Sequence, residues 1–341
     1  MTKRVFEYEV GQKIPIAIAG CGVVGSALIR LLQKRAREIE DRTGLGFELV
    51  SLLVRDPSRE RGVEIEPEIL TTDLEAFLDS GAEIVVEVIG GLGTAAEIAR
   101  QTLARGADLV TANKALLAES GAELTDLARI SGARLEFEAA VGGGAPIIET
   151  IRTGLAETGI RKIRGILNGT TNYILTRLSE GADYETALAD AQRAGFAEAD
   201  PTRDIDGTDA ADKIRILGWL AFGTDPAEIT VEREGILPDP DTLAAKARER
   251  GGVVRSIAEV EHRDDLIHAS VAPLIVADDS EWAMTRYEEN LVTVETSWNG
   301  TIRIGGPGAG GYPTASAVLA DLIRVAESRA LTRTQIAPLS G

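Results

Sequence analysis

Apolar residues recur along this chain in two different patterns. In the first 140 residues they form short unbroken runs: Lys13–Ala19, Phe47–Val54, Ile84–Ile89, Asp108–Val110 and Arg134–Phe137. Strands buried on both faces of a parallel sheet need runs of this kind. Stretches with helical spacing separate them: one reaching about Glu40, one over Thr94–Arg105 and one opened by Lys114. Strand and helix in alternation predict a parallel sheet covered by helices. Further on the pattern changes. Val253–Val260, Leu266–Val276, Leu291–Thr296 and Thr301–Ile304 predict a mostly antiparallel sheet, with His262 and His268 flanking a hairpin turn at Arg263-Asp264-Asp265. A last helix, striped by Val318, Leu319, Leu322 and Val325, runs to about Ala330.

The first run leads into Gly20-Cys21-Gly22-Val23-Val24-Gly25 and then a helix. Strand, G-x-G-x-x-G, helix is the setting in which glycines allow a tight turn and the helix N-terminus meets a dinucleotide pyrophosphate. The second run ends at Arg55-Asp56. An acidic residue there suits a ribose diol and an arginine suits a 2′-phosphate, and Arg55 coming first favours NADP over NAD. Gly90-Gly91 follow the third run, at the strand end where open α/β sheets bind ligands.

With 341 residues the chain is long enough for two domains. No apolar run approaches 18 residues, so no membrane span is expected. The opening MTKRVFEYEVGQK lacks the apolar core of a signal peptide, which implies a cytoplasmic location. Cys21 is the only cysteine, and it lies in the glycine turn; an intramolecular disulfide and a cysteine-based zinc cluster are excluded. A net charge of −18 repels phosphate backbones and argues against nucleic acid as a partner.

The densest chemistry lies between Gly165 and Lys213. Asn168-Gly169-Thr170-Thr171-Asn172 sets small polar residues between apolar flanks, suited to bringing amides, hydroxyls and bare backbone against a ligand. Glu198, Asp200, Asp204, Asp206, Asp209 and Asp212 then fall within fifteen residues. A helix is predicted over Thr208–Phe222, with Ala210, Ile214, Leu217 and Ala221 as its apolar stripe and Thr208, Asp212 and Arg215 as its wet face. Asp209 and Lys213, four apart, share a face bordering that stripe. An ordinary surface ion pair is the plain reading of such a pair. A partly buried lysine beside a carboxylate can also deliver a proton, and the carboxylate-rich loop before it favours that second reading.

The stretch Gly165-Ile166-Leu167-Asn168-Gly169-Thr170-Thr171-Asn172-Tyr173-Ile174-Leu175-Thr176, then Gly195-Phe196-Ala197-Glu198-Ala199-Asp200-Pro201, then Asp204, Gly207, Asp209 and Lys213, resembles the signature region of homoserine dehydrogenases. Thr111-Ala112-Asn113-Lys114-Ala115-Leu116-Leu117 and the glycine-rich 305–315 segment resemble two further family motifs. The resemblance covers about Ile14 to Ser328. It implies a fold of the α/β class: a Rossmann-type NAD(P)-binding domain, residues 1–140 plus 305–341, and an α+β substrate and dimerisation domain, residues 141–304, with a mostly antiparallel sheet. It also implies a short family member without the C-terminal regulatory module of longer ones or a preceding kinase module, so that feedback by threonine is not expected.

The implied reaction interconverts L-aspartate-4-semialdehyde and L-homoserine with NADP or NAD. In this reading Lys213 is the proton donor or relay, and Lys114, the second catalytic lysine, contacts the nicotinamide end and the substrate and joins in the proton transfer. Glu198 and Asp209 hold the substrate amino group, with Asp204 a further candidate, and Asn168, Gly169, Thr170 and Thr171 receive its carboxylate. Gly20, Gly22, Val23, Val24, Gly25, Arg55, Gly90, Lys114 and Gly310 line the cofactor. The family also implies a monovalent cation, usually sodium, on Glu138, Val141, Gly143 and Ala145, and a homodimer or homotetramer. Two other readings compete with this one. An acylating semialdehyde dehydrogenase needs a cysteine nucleophile, which Cys21 in the phosphate turn does not supply. A non-enzymatic redox sensor on the same fold would have no need of Glu198, Asp209, Lys114 and Lys213 together.

Overall fold

The computed structural model describes residues 12–334. The opening segment, on which the expectation about a signal peptide rests, lies outside the described residues. In chain order the elements begin β1 (Lys13–Ala19), α1 (Val23–Thr43), β2 (Gly46–Leu53), β3 (Leu70–Thr71), α2 (Leu74–Leu78), β4 (Ile84–Glu87), α3 (Gly93–Ala104), β5 (Asp108–Thr111), α4 (Lys114–Ser131) and β6 (Leu135–Glu136). There follow α5 (Ile147–Glu149), β7 (Ile160–Ile166), α6 (Gly169–Ser179), α7 (Tyr184–Arg193), α8 (Thr202–Ile205), α9 (Thr208–Phe222), β8 (Val231–Arg233) and α10 (Pro240–Glu249). The last are β9 (Gly252–Arg263), β10 (Leu266–Ala277), α11 (Glu281–Met284), β11 (Glu289–Thr296), β12 (Thr301–Pro307) and α12 (Gly311–Thr334). No helix among the described residues is long and apolar enough to cross a membrane.

The chain divides into two compact units. The first takes the chain through Leu116, then Ala122–Ala139, and resumes at Thr314. Its sheet is wholly parallel, in the order β3-β2-β1-β4-β5-β6, so the strand order reverses between β1 and β4. That reversal marks the ligand crevice of a doubly wound sheet. The apolar runs are its strands: Ile14, Ile16, Ile18, Ile84 and Val86 have no exposed surface, and they share one core with Val318, Leu322, Val325 and Ala326 of α12. Arg329 ties α12 to the sheet through Asp108 Oδ2, 2.7 Å from its Nη2, and through Glu83.

The second unit comprises Leu117–Gly121 and Ala140–Pro313. Its sheet runs β12-β11-β7-β9-β10-β8, antiparallel except for the β10–β8 pair. The expected hairpin is β9–β10, and Asp264 and Asp265 turn it with φ of 53° and 61°, a geometry matched to strand twist. Two strands of this unit were not predicted. β8 is three residues long. β7 reads as polar because Lys162 and Arg164 share one of its faces, yet both are matched across the ladder: Lys162 Nζ lies 2.7 Å from Glu259 and 3.4 Å from Glu261, and Arg164 Nε lies 2.9 Å from Glu259. Cross-strand pairs of this kind neutralise a strand that the sequence alone makes look solvated. Residues 305–313, expected with the nucleotide domain, pack in this unit. β12 pairs with β11 as far as Pro307, and Gly308 N–H donates to Glu288 O at 3.0 Å.

Candidate active site

In the first unit the glycine turn is dictated by contact. A Cβ on Gly25 would lie 2.1 Å from Gly20 O, and one on Gly20, whose φ is 104°, would lie 2.9 Å from Val88 O. Larger residues would separate α1 from the strand ends. A Cβ on Gly22 meets nothing within 4 Å, so the space before the α1 N-terminus is open. Val23 is exposed there, while Val24 and Cys21 are half-buried against the core. Burial pushes the Cys21 thiol up, in keeping with a packing role. These residues fit a dinucleotide pyrophosphate. Arg55 is exposed past β2. The Asp56 carboxylate accepts from Ser58 N–H at 2.9 Å and Ser58 Oγ at 2.6 Å, which holds its carboxyl below the usual range.

At the end of β4, Glu87 accepts from the N–H groups of Ile89 and Gly90 at 2.9 and 3.1 Å. That turn ends the strand earlier than its apolar run does. Gly90 and Gly91 have φ of 71° and 73°. Asn113 caps α4 by accepting from Leu116 N–H at 3.2 Å, and its Nδ2 donates to Gly91 O at 2.6 Å. Lys114, the first residue of α4, therefore stands immediately after a fixed corner. Glu138 is buried in the same unit, and its N–H donates to Asp321 Oδ2 at 2.9 Å. Burial pushes the Asp321 carboxyl up to about 8 against the opposing Arg324 charge.

In the second unit, Val141 and Ala145 are buried, and Gly143 has a φ of 60°. Gly143 lies against the Gly308 backbone, where a Cβ would come within 2.8 Å of the carbonyl. Ala145 O accepts from Ile147 N–H at 2.8 Å. Gly310, with φ of 125°, leads into α12.

β7 delivers the centre of the site. Leu167 follows its last residue, and Asn168 then caps α6, accepting from Thr171 N–H at 2.8 Å. The two N–H bonds of the Asn168 amide divide between two carboxylates: Nδ2 lies 2.7 Å from Asp204 Oδ1 and 2.8 Å from Asp209 Oδ2. Thr171 Oγ1 donates to the Asp204 carbonyl at 2.8 Å, and Thr170 Oγ1 donates to Phe196 O at 2.5 Å. Gly169 meets the backbone of Glu288. Lys213, 8% exposed, donates to Leu167 O at 2.6 Å and lies 2.7 Å from Asp209 Oδ2. Burial, then the Asp209 charge, pushes the Asp204 carboxyl up.

Asn168, Thr171, Asp204, Asp209 and Lys213 thus come together. Glu198 does not join them: it is exposed on the loop after α7, where its carbonyl accepts from Gln192 Nε2 at 3.2 Å. The Leu167 carbonyl was not foreseen, since a backbone acceptor leaves no mark on the sequence beyond its place before Asn168. Asp212, expected on the wet face of α9, is buried, with Arg203 Nη2 2.7 Å from its Oδ2 and Arg215 Nη1 3.6 Å from its Oδ1.

Residues 146–323 match the family model described as homoserine dehydrogenase, and residues 20–138 match that described as homoserine dehydrogenase, NAD binding domain. Homoserine dehydrogenases of Synechocystis sp. and Corynebacterium glutamicum are 40% and 39% identical over 92% and 94% of this chain, which covers 73% of each. A solved homoserine dehydrogenase from Thiobacillus denitrificans superposes with a TM-score of 0.89 at 36% identity, over 97% of this chain and 77% of that one. A hyperthermophilic archaeal homoserine dehydrogenase in complex with NADPH superposes with a TM-score of 0.77 at 29% identity, over 92% of this chain and 97% of that one.

Proposed function

The chain belongs to the homoserine dehydrogenase family, and from that premise we propose that Asp204 and Asp209 receive the substrate ammonium while Lys213 supplies the proton. The protein is an NAD(P)-dependent oxidoreductase that interconverts L-aspartate-4-semialdehyde and L-homoserine. The observation that carries the assignment of roles is the single Asn168 amide spanning two carboxylates, with Lys213 in contact with one of them. Two anions held this close form a site for a compact cation, and an amino acid's ammonium is one. A protonated lysine has three donors. Two point at Leu167 O and Asp209, and the third is assigned to the substrate oxygen. In the reducing direction that oxygen gains charge, and a fixed ammonium beside it both stabilises the alkoxide and protonates it. The bound nicotinamide supplies the hydride. The N–H groups of Gly169 and Thr170 at the α6 N-terminus are assigned to the substrate carboxylate, since the Thr170 and Thr171 hydroxyls already donate to backbone carbonyls, and Lys114 to the nicotinamide end. Glu198 can serve the ammonium only if its exposed loop closes.

Gly20, Gly22, Val23, Val24 and Gly25 are assigned to the pyrophosphate, and Gly90 and Gly310 to the remainder of the dinucleotide. With Asp56 occupied by its own turn, Arg55 is the group left to meet a 2′-phosphate, which favours NADP. A sodium ion on Glu138 and the carbonyls of Val141, Gly143 and Ala145 is supported by donor chemistry. These are hard oxygen donors with a single carboxylate, a set whose charge suits a singly charged cation. A homodimer or homotetramer formed through the second sheet, whose edge strand β12 is largely exposed, and a cytoplasmic location complete the reading. Oxidation of L-homoserine at alkaline pH, followed as reduced-cofactor absorbance with NAD and NADP in parallel, tests it. Turnover faster with NADP is expected. Cofactor binding without turnover would sink the assignment and favour the sensor.

A further inference from the structure

We infer that the Arg203–Asp212 ion pair is a latch that holds Asp204 against Asp209, which makes both residues positioning groups for the substrate ammonium. The inference rests on the assignment of Asp204 and Asp209 to that ammonium. Asp204 sits on α8, a single turn of four residues that cannot hold its own shape. Before substrate arrives, its carboxylate shares one amide with Asp209, so like charges press α8 away from α9. The corner between the two helices is Gly207, with φ of 80°, and there Asp206 pairs with Arg233 at 2.9 Å while Arg233 also reaches Thr208 Oγ1. Those contacts fix the corner. The turn beyond it is seated at its inner edge, where Asp204 O accepts from Thr171 Oγ1 at 2.8 Å and Ile205 O from Ile236 N–H at 3.0 Å, and its outer edge is left to Arg203.

Arg203 is the residue before Asp204, and it reaches back over α9 to Asp212, one turn on from Asp209. Its side chain is 62% exposed while that of Asp212 is 9% exposed. The pair therefore spans the boundary between solvent and interior, on the outside of the site. It pulls α8 toward α9 and opposes the repulsion between the two carboxylates. A pair with one partner in water is weakened by salt.

The test is steady-state kinetics of the full-length protein and of R203Q, R203K, D212N and the R203Q/D212N double variant. R203Q should raise KM for L-homoserine about twofold to fivefold, with kcat within about twofold and the cofactor KM unchanged. R203K should recover part of the loss, and the double variant should be no worse than R203Q. Raising ionic strength with tetramethylammonium chloride should lift the native KM toward that of R203Q and close the gap between them. A native-like KM in R203Q at low ionic strength, even with a lowered Tm, makes the pair merely structural and overturns the inference. So does an identical salt response in both proteins. If D212N fails to fold, the exposed-side variant R203Q decides alone. Absence of turnover by the native protein would overturn the functional reading and the latch with it. Native turnover with an unchanged KM in R203Q overturns the latch only.

Discussion

Lys213 and Arg255 are both buried cations of the second unit, and the difference between them separates a proposed proton donor from a structural fixture. Arg255 is 1% exposed on β9. Its guanidinium donates to backbone carbonyls alone: Nε to Trp282 and Thr285 at 3.1 and 3.2 Å, Nη1 to Val254 at 2.8 Å and Nη2 to Ala283 at 2.9 Å. Most of these carbonyls close the C-terminal end of α11, where a cation is favourable. Burial still lowers its pKa to about 10. The contacts use every branch of a rigid planar group. Lys213 makes one carbonyl contact and one carboxylate contact on a flexible stem, which leaves a donor to give away. A buried cation fully engaged by backbone is a fixture. One engaged in part, beside acids and a capped loop, is placed to act.

Exchanging each cation for a neutral residue breaks the comparison most severely. Lys213→Ala should lower kcat by about 10²- to 10⁴-fold, the usual worth of a positioned acid, while fluorescence titration shows cofactor binding unchanged. Native-like turnover would remove Lys213 from the mechanism. Arg255→Met should do the reverse. It orphans several buried carbonyls and should cost on the order of 3–5 kcal/mol in denaturant unfolding, with near-native kcat in the protein that remains folded. Loss of turnover without loss of stability would give Arg255 a catalytic role. The smallest effect is expected at the acids proposed to receive the substrate ammonium. Asp204 is raised by burial and by Asp209, so it takes up a proton at a higher pH than an ordinary aspartate. A protonated Asp204 no longer attracts an ammonium. KM for L-homoserine should therefore climb as pH falls through that raised value and stay flat above it. Asp204→Asn should give a high KM throughout with the acid limb diminished. A native profile that persists in the variant would assign the limb to another group.

What could be read in advance follows from how local each cause is. The 13–19 strand, the glycine turn and the Asp209–Lys213 spacing are set by neighbours within a few residues, and the structure has them where periodicity put them. Asp212 was misplaced because a helical wheel knows only its own helix, and the arginine that covers it belongs to the preceding turn. β7 was missed because the acids that neutralise Lys162 and Arg164 lie far along the chain on β9. The Leu167 carbonyl could not be read at all. Arg255 lies within the predicted Val253–Val260 strand, and nothing in its local sequence announces that α11 folds back over it.

The nucleotide unit is written in two instalments. Its first six strands are complete by Glu136, yet Val318, Leu322, Val325 and Ala326, which fill the same core, belong to the last helix. A ribosome adding about 5–20 residues per second reaches that helix on the order of ten to thirty seconds later. Throughout that interval the nascent sheet lacks one of its covering helices while the inserted unit is already emerging. The order of synthesis therefore sets the order of assembly: the inserted unit can finish first, and the dinucleotide fold, begun earliest, closes last.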